Sequence, residues 1–194
     1  MTFKQLQNPK LLKLSAAFGL ALLLAGAIIA QIPGAPKNDP SKGPGKVIAD
    51  LYDLVSSAGG KSPDWDEVRA CFIKEAVVVL RTAWKATTVF SLDGFIQDFI
   101  DFYEKPFRRG ALTLYPNKEG FTEKVVQIKS WEFWDMAHVL VLYEAHINNN
   151  PTPPQRGIDS WLLSRREGHW LIVAVTNEVI TADHPVPPEL RNEK

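Results

Sequence analysis

The chain is poor in the residues that announce a specialised chemistry. It has one cysteine, Cys71, so an intramolecular disulfide is excluded. Cys71 sits among Val68, Phe72 and Ile73 on an apolar helical pattern and reads as a buried structural thiol. Only four histidines occur, none in His-Glu-x-x-His or similar spacing, so neither a metal site nor a cofactor is expected. Gly-x-Ser-x-Gly and phosphate-loop patterns are missing as well. So is an excess of charge of either sign. The 22 Lys and Arg residues balance 22 acids and are scattered among them, which excludes a basic nucleic-acid surface. What is present is apolar: 45% of the 194 residues are hydrophobic and 10% of the chain is aromatic. That is enough for one well-formed core plus a terminal extension.

The extension is at the N-terminus. Lys4, Lys10 and Lys13 precede a nearly unbroken apolar run from Leu14 to Ala30, and no acid occurs before Asp39. Positive charge followed by such a run is the pattern of an export signal, with Ala25-Gly26-Ala27 as a cleavage phrase. The run is also about the length of a short spanning helix, roughly 17–25 residues, so residues 1–30 read either as a signal peptide or as an uncleaved membrane anchor. Ala27 stands where a lipoprotein would need cysteine. Both readings place the rest of the chain outside the cytoplasm, periplasmic or secreted, with the membrane touched only through this segment. Without the three lysines the remainder is about three units negative. Residues 31–45, with Pro33, Pro36, Pro40 and Pro44, have linker composition.

Residues 46–181 read as the folded domain. Val47, Ile48, Leu51, Leu54, Val55 and Ala58 recur at helical spacing, and Gly59-Gly60 is the expected stop. Asp64 is placed to cap a short second helix, with Glu67 three residues on. Ala76–Leu80 is a β-branched run and reads as a strand. Ser91 opens a third helix carrying Phe95, Ile96, Phe99, Ile100 and Tyr103. Four strands follow, at about Glu123–Trp134, Ala137–Ile147, Gly157–Arg166 and His169–Ile180, with turns at Asp135-Met136 and Glu167-Gly168. Helices and then a meander predict an α+β domain, three N-terminal helices packed on one face of a bent antiparallel sheet. In Ala137–Ile147 both faces are apolar at the centre, which predicts a homodimer covering the second sheet face. The tail 182–194, with Pro185, Pro187 and Pro188, reads as loose.

The phrases Asp64-Trp65-Asp66, Gly120-Phe121, Ala137-His138-Val139 with Tyr143-Glu144, Arg156-Gly157-Ile158 with Ser160, and Gly168-His169-Trp170 with Ile172-Val173 stand in an order that resembles the nuclear transport factor 2-like superfamily, in its bacterial SnoaL-like branch. The resemblance implies a cone-shaped, cystatin-like fold with an apolar pocket between helices and sheet. The last strand departs from the branch: Thr176-Asn177-Glu178 lacks the tryptophan that often precedes an acid there. The fold does not set a reaction.

Enzymes of the superfamily place a few polar groups in that cone, and ketosteroid isomerase-like members carry an aspartate in the third of the four strands. Here the local pair Ile158-Asp159 points to Asp159, whereas counting from the Gly168 turn points to Ser160. A one-residue slip swaps faces, so only one of them faces inward. The candidate catalytic residues are Asp159 and His138, and the candidate pocket residues are Tyr52, Trp84, Phe95, Tyr143, Ser160 and Trp161. No pair among them makes a convincing catalytic set. The favoured reading is an exported SnoaL-like domain binding a small apolar molecule in its cone. The alternatives are a small-molecule isomerase, dehydratase or hydrolase, and a membrane-anchored periplasmic assembly module.

Overall fold

The computed structural model describes residues 41–59, 61–83, 86–105, 107–109, 112–114, 119–149, 151 and 153–191. The expected export segment 1–30, most of the linker and Trp84 lie outside the described residues. Among the described residues no helix is long and apolar enough to cross a membrane.

Helix α1 is Pro44–Val55. Pro44 occupies its first turn, where the missing N–H costs nothing. The helix therefore begins inside the segment expected to be linker. Val47, Ile48, Leu51, Tyr52 and Val55 form one buried stripe, and α1 lies on strands β6 (Gly120–Phe133) and β7 (Met136–Ile147). Burying each aliphatic of such a stripe contributes about 1.5–3 kcal/mol. The helix stops three residues before the expected Ala58. The Ser56 hydroxyl donates to the Tyr52 carbonyl at 2.8 Å and accepts the Glu123 N–H at 2.9 Å. Ser57–Ala58 then becomes strand β1, paired with Gly120-Phe121. Gly120, at φ +92°, lies where a Cβ would strike the Ser57 carbonyl, so this join requires glycine.

Helix α2, Trp65–Ala70, is capped as its sequence predicts: the Asp64 carboxylate accepts from the N–H groups of Asp66 and Glu67. Strand β2, Phe72–Ala83, is longer than the expected Ala76–Leu80 and folds back as β3, Ala86–Ser91, a hairpin the sequence reading misses. The reason is exposure: β3 is an edge strand, largely solvated, and carries no apolar alternation. Ser91 caps α3, Leu92–Glu104, through the Gly94 N–H at 3.2 Å. A small hairpin, β4 (Phe107–Arg109) and β5 (Leu112–Leu114), follows. The remaining strands are β8, Gln155–Arg166, and β9, His169–Val179. Glu167 and Gly168 both take positive φ in the tight turn between them.

The seven-stranded sheet runs β1-β6-β7-β8-β9-β2-β3. It is antiparallel except at one seam, where β2 runs parallel to β9. The expectation of a wholly antiparallel sheet is corrected there. The long excursion through α3 and β6–β8 returns β9 alongside β2 in the same direction, which a short connection cannot do. Register shifts in β6 between Val125 and Gln127, and between Leu162 and Leu163, add to the curl of the open sheet. α1 and α3 cover its concave face, and Val78, Val139, Val141 and Ile172 are wholly buried beneath them. Cys71 is buried at the end of α2, as expected of a structural thiol.

The tail is not loose over its described part. Pro188–Leu190 forms a 3-10 turn against β6 and β7, and Leu190 is 1% exposed. Leu142, on the outer side of β7, is buried too. The chain thus covers part of its own outer sheet face, and a second subunit is not needed at Leu142. The rest of that face stays open at Trp131, Phe133, Met136 and Leu162.

Candidate functional site

Strand phase decides which side chains reach the space between helices and sheet. In β8 the buried positions alternate as Gly157, Asp159, Trp161 and Leu163. Asp159 therefore faces inward and Ser160 outward. Ser160 is excluded from the pocket, and so is His138, which pairs with Leu162 across the ladder and points to the same outer side. There His138 Nε2 and Ser160 Oγ share a hydrogen bond of 2.9 Å, and the His138 ring stacks on Trp131. The local Ile158-Asp159 pair is the better guide: burial along β8 alternates without a break from Gly157 to Leu163, and the register shift against β9 places its extra residue, Val173, in β9.

Inside, a cavity of about 70 Å³ opens between α1, α3 and the sheet. Tyr52, Phe95, Asp159 and Trp161 line it, as expected. Tyr143 does not. It is buried behind the wall, its ring 6.2 Å from that of Tyr52. Its phenol lies over Gly157, where any Cβ would collide with it. Leu51, Val55, Leu80, Phe99 and Val175 complete the apolar wall. The polar residues missed from the sequence are Glu123 and Asn177. Asn177 was visible as the departure from the branch pattern in the last strand. Its side-chain oxygen accepts the Arg81 N–H at 2.7 Å, and its amide reaches the Tyr143 oxygen at 3.4 Å. Glu123 was hidden by the regular alternation of β6, which reads as an ordinary wet face.

The Tyr52 hydroxyl donates a short hydrogen bond to Asp159 Oδ2. Asp159 is 7% exposed, and its other oxygen, Oδ1, has no partner. The Trp161 indole N–H is likewise buried and lies toward the Tyr52 oxygen. Burial pushes the Asp159 carboxyl up to about 7, against the pull of the Tyr52 hydrogen bond. Burial first, and then the neighbouring Asp159 charge, push Glu123 up to about 8. Glu123 is half-buried by surface and lines the cavity. Burial and the two acids also raise the Tyr52 phenol well above its ordinary range. Arg81, the basic residue nearest this end, is ion-paired with Glu178. Among the described residues no group of three His, Cys, Asp or Glu side chains is arranged to hold a metal ion. The site can therefore accept hydrogen bonds and exchange protons in an apolar enclosure.

No family model matches the chain, and no curated protein matches it. Solved structures do. A nuclear transport factor 2-like protein of unknown function from Pseudomonas putida superposes with a TM-score of 0.50 at 11% identity, over 75% of this chain and 92% of that one. A protein of unknown function with a cystatin-like fold from Nostoc punctiforme gives 0.50 at 10% identity, over 71% and 88%. The CamKII hub homology domain of Chlamydamonas reinhardtii gives 0.50 at 10% identity, over 69% and 92%. These likenesses are of architecture and carry no reaction with them. A curled open sheet, helices on its concave face and a polar-floored cavity between them make this a domain of the nuclear transport factor 2-like, cystatin-like fold.

Proposed function

We propose that the domain binds a small, mainly apolar molecule in the cavity between α1, α3 and the sheet, and presents Asp159 to its polar end. The observation that carries this reading is Asp159, a lining residue of the cavity whose Oδ1 is buried and has no hydrogen-bond partner among the described residues. Leaving such an oxygen unsatisfied costs about 1–3 kcal/mol, a cost that a bound donor group removes. The experiment is a native mass spectrum of protein from its own cells, followed by thermal melts against whatever mass is retained. A retained small molecule that raises the melting temperature, and fails to do so in Asp159→Leu, supports the reading. Protein that is always empty and never stabilised by cavity-sized compounds refutes it.

A second reading is favoured by one specific feature. A buried carboxyl whose value lies near neutrality, beside a phenol, is suited to taking and returning a proton. In an isomerase, dehydratase or hydrolase of this kind Asp159 would be the base and Tyr52 its positioning partner. His138, on the outer face, has no part in it.

The local phrases of the sequence support a place in the bacterial SnoaL-like branch. The apolar run before Ala30 supports export, either as a cleaved signal or as an anchor. The open outer patch of Trp131, Phe133, Met136 and Leu162 supports a homodimer through the sheet face. Sedimentation of wild type against Leu162→Lys tests the dimer: a shift to monomer is expected, and an unchanged mass excludes this face.

A further inference from the structure

The charged groups of the cavity are of one sign only. Its ionisable lining residues among those described are Asp159, Glu123 and Tyr52, with no lysine, arginine or histidine among them. The groups facing this pair from the packed elements are equally acidic or neutral: Tyr52 from α1, Tyr103 from α3, Tyr143 from β7 and Asn177 from β9. Arg81 on β2 is committed to Glu178. Two carboxyls share this enclosure close enough for the Asp159 charge to raise the proton affinity of Glu123, and no described residue supplies a hydrogen bond to Asp159 Oδ1 or a cation to either acid. The surrounding walls are aromatic, with Phe95, Phe99, Trp161 and Tyr52 presenting ring surface.

Building on the small-molecule reading, we infer that the ligand is a small organic amine in its cationic form, with its ammonium between Asp159 and Glu123 and its hydrocarbon against the aromatic wall. An ammonium donates up to three hydrogen bonds, which matches one unpartnered carboxylate oxygen and a second carboxyl. Ring faces attract cations, so the wall that excludes a hydrated anion accepts an alkylammonium. A carboxylate or phosphate ligand meets two acids and no base. A neutral alcohol has one donor and leaves the acid pair protonated. The size fits: about 70 Å³ is room for on the order of five water-sized groups, at about 10–15 Å³ each, hence a short-chain amine rather than a polyamine.

The inference has a pH signature. Burial raises the Asp159 and Glu123 carboxyls to about 7 and about 8, so below those values they hold protons that a cation must displace. Amine binding therefore tightens as pH rises from 6 to 8.5, while the amine itself stays charged. For each displaced proton the gain is about tenfold per unit of pH below the carboxyl's own value.

The probes are n-butylamine, 1-butanol and propionate, matched in size, titrated into full-length protein and followed by the Trp161 Nε1–H resonance and by melting temperature. Saturable binding of butylamine at least tenfold tighter than that of butanol, tightening with pH and lost in Glu123→Gln with Asp159→Asn, is the expected result. Equal binding of amine and butanol overturns the amine inference while leaving the small-molecule reading intact. Preferential binding of propionate, or no response to any probe from a protein whose Trp161 signal is native, overturns it as well. The double variant's own melt separates loss of binding from loss of fold, because removing buried acids is expected to leave it at least as stable as wild type.

Discussion

The two faces of the β7–β8 ladder differ by a single residue step and have little else in common. Asp159 faces the cavity under the helices, where burial brings its carboxyl to about 7. Ser160, next in the chain, bonds His138 among open side chains that include Trp131 and Leu162. The inner face is covered by the chain's own helices around the cavity. Among the described residues, the Pro188–Leu190 turn packs against β6 and β7 on the outer side. A polar group therefore acquires unusual chemistry by its phase on the strand and not by its identity.

Four experiments would break or sharpen this contrast. The largest effect is expected from truncation on the inner side. Ile172→Ala, at a fully buried position, should cost about 2–5 kcal/mol in urea unfolding, while Leu162→Ala, half exposed on the outer face, should cost under about 1 kcal/mol in the monomer. Comparable losses would mean that the outer face is as buried as the inner.

Next comes Gly157→Ala, which pushes a methyl group into the Tyr143 phenol and should cost about 1–3 kcal/mol. In a double-mutant cycle with Tyr143→Leu much of that cost should vanish, since the obstructing ring is gone. Additive losses would dissociate the glycine from the tyrosine.

A smaller effect concerns pH. Asp159 and Glu123 have folded-state values raised above those of the unfolded chain, so between about pH 4 and pH 8 the native state binds more protons and stability falls as pH rises. Asp159→Asn and Glu123→Gln should flatten that fall. Each should raise the melting temperature more at pH 8 than at pH 5, by about 2–4 °C per kcal/mol recovered. A pH profile identical to wild type would show that the two carboxyls titrate normally.

The smallest effect is expected at His138→Gln. It removes a ring that stacks on Trp131 on the outer face and should leave Trp161 chemical shifts and cavity-ligand affinity within error. A change in either would couple the two faces.

The sequence by itself determined those features whose causes are local in the chain. The apolar spacing of α1, the Asp64 and Ser91 caps, the four long strands of the meander and the Glu167-Gly168 turn each depend on residues within a few positions of one another. Tyr52 and Phe95 were legible as pocket candidates because each lies on a helix whose buried side its own periodicity marks. What depended on partners distant in sequence was decided only by the tertiary structure. Ser56 ends α1 by bonding Glu123, 67 positions away. The parallel seam of β2 with β9 exists only once the chain has returned. The choice of Asp159 over Ser160 was made by which face of β8 the helices cover. Glu123 became a site residue because curling the sheet brings β6 and β8 to one cavity. Periodicity tells which side of an element is apolar, whereas desolvation and charge proximity, which make a carboxyl reactive, are properties of space that only the assembled fold encloses.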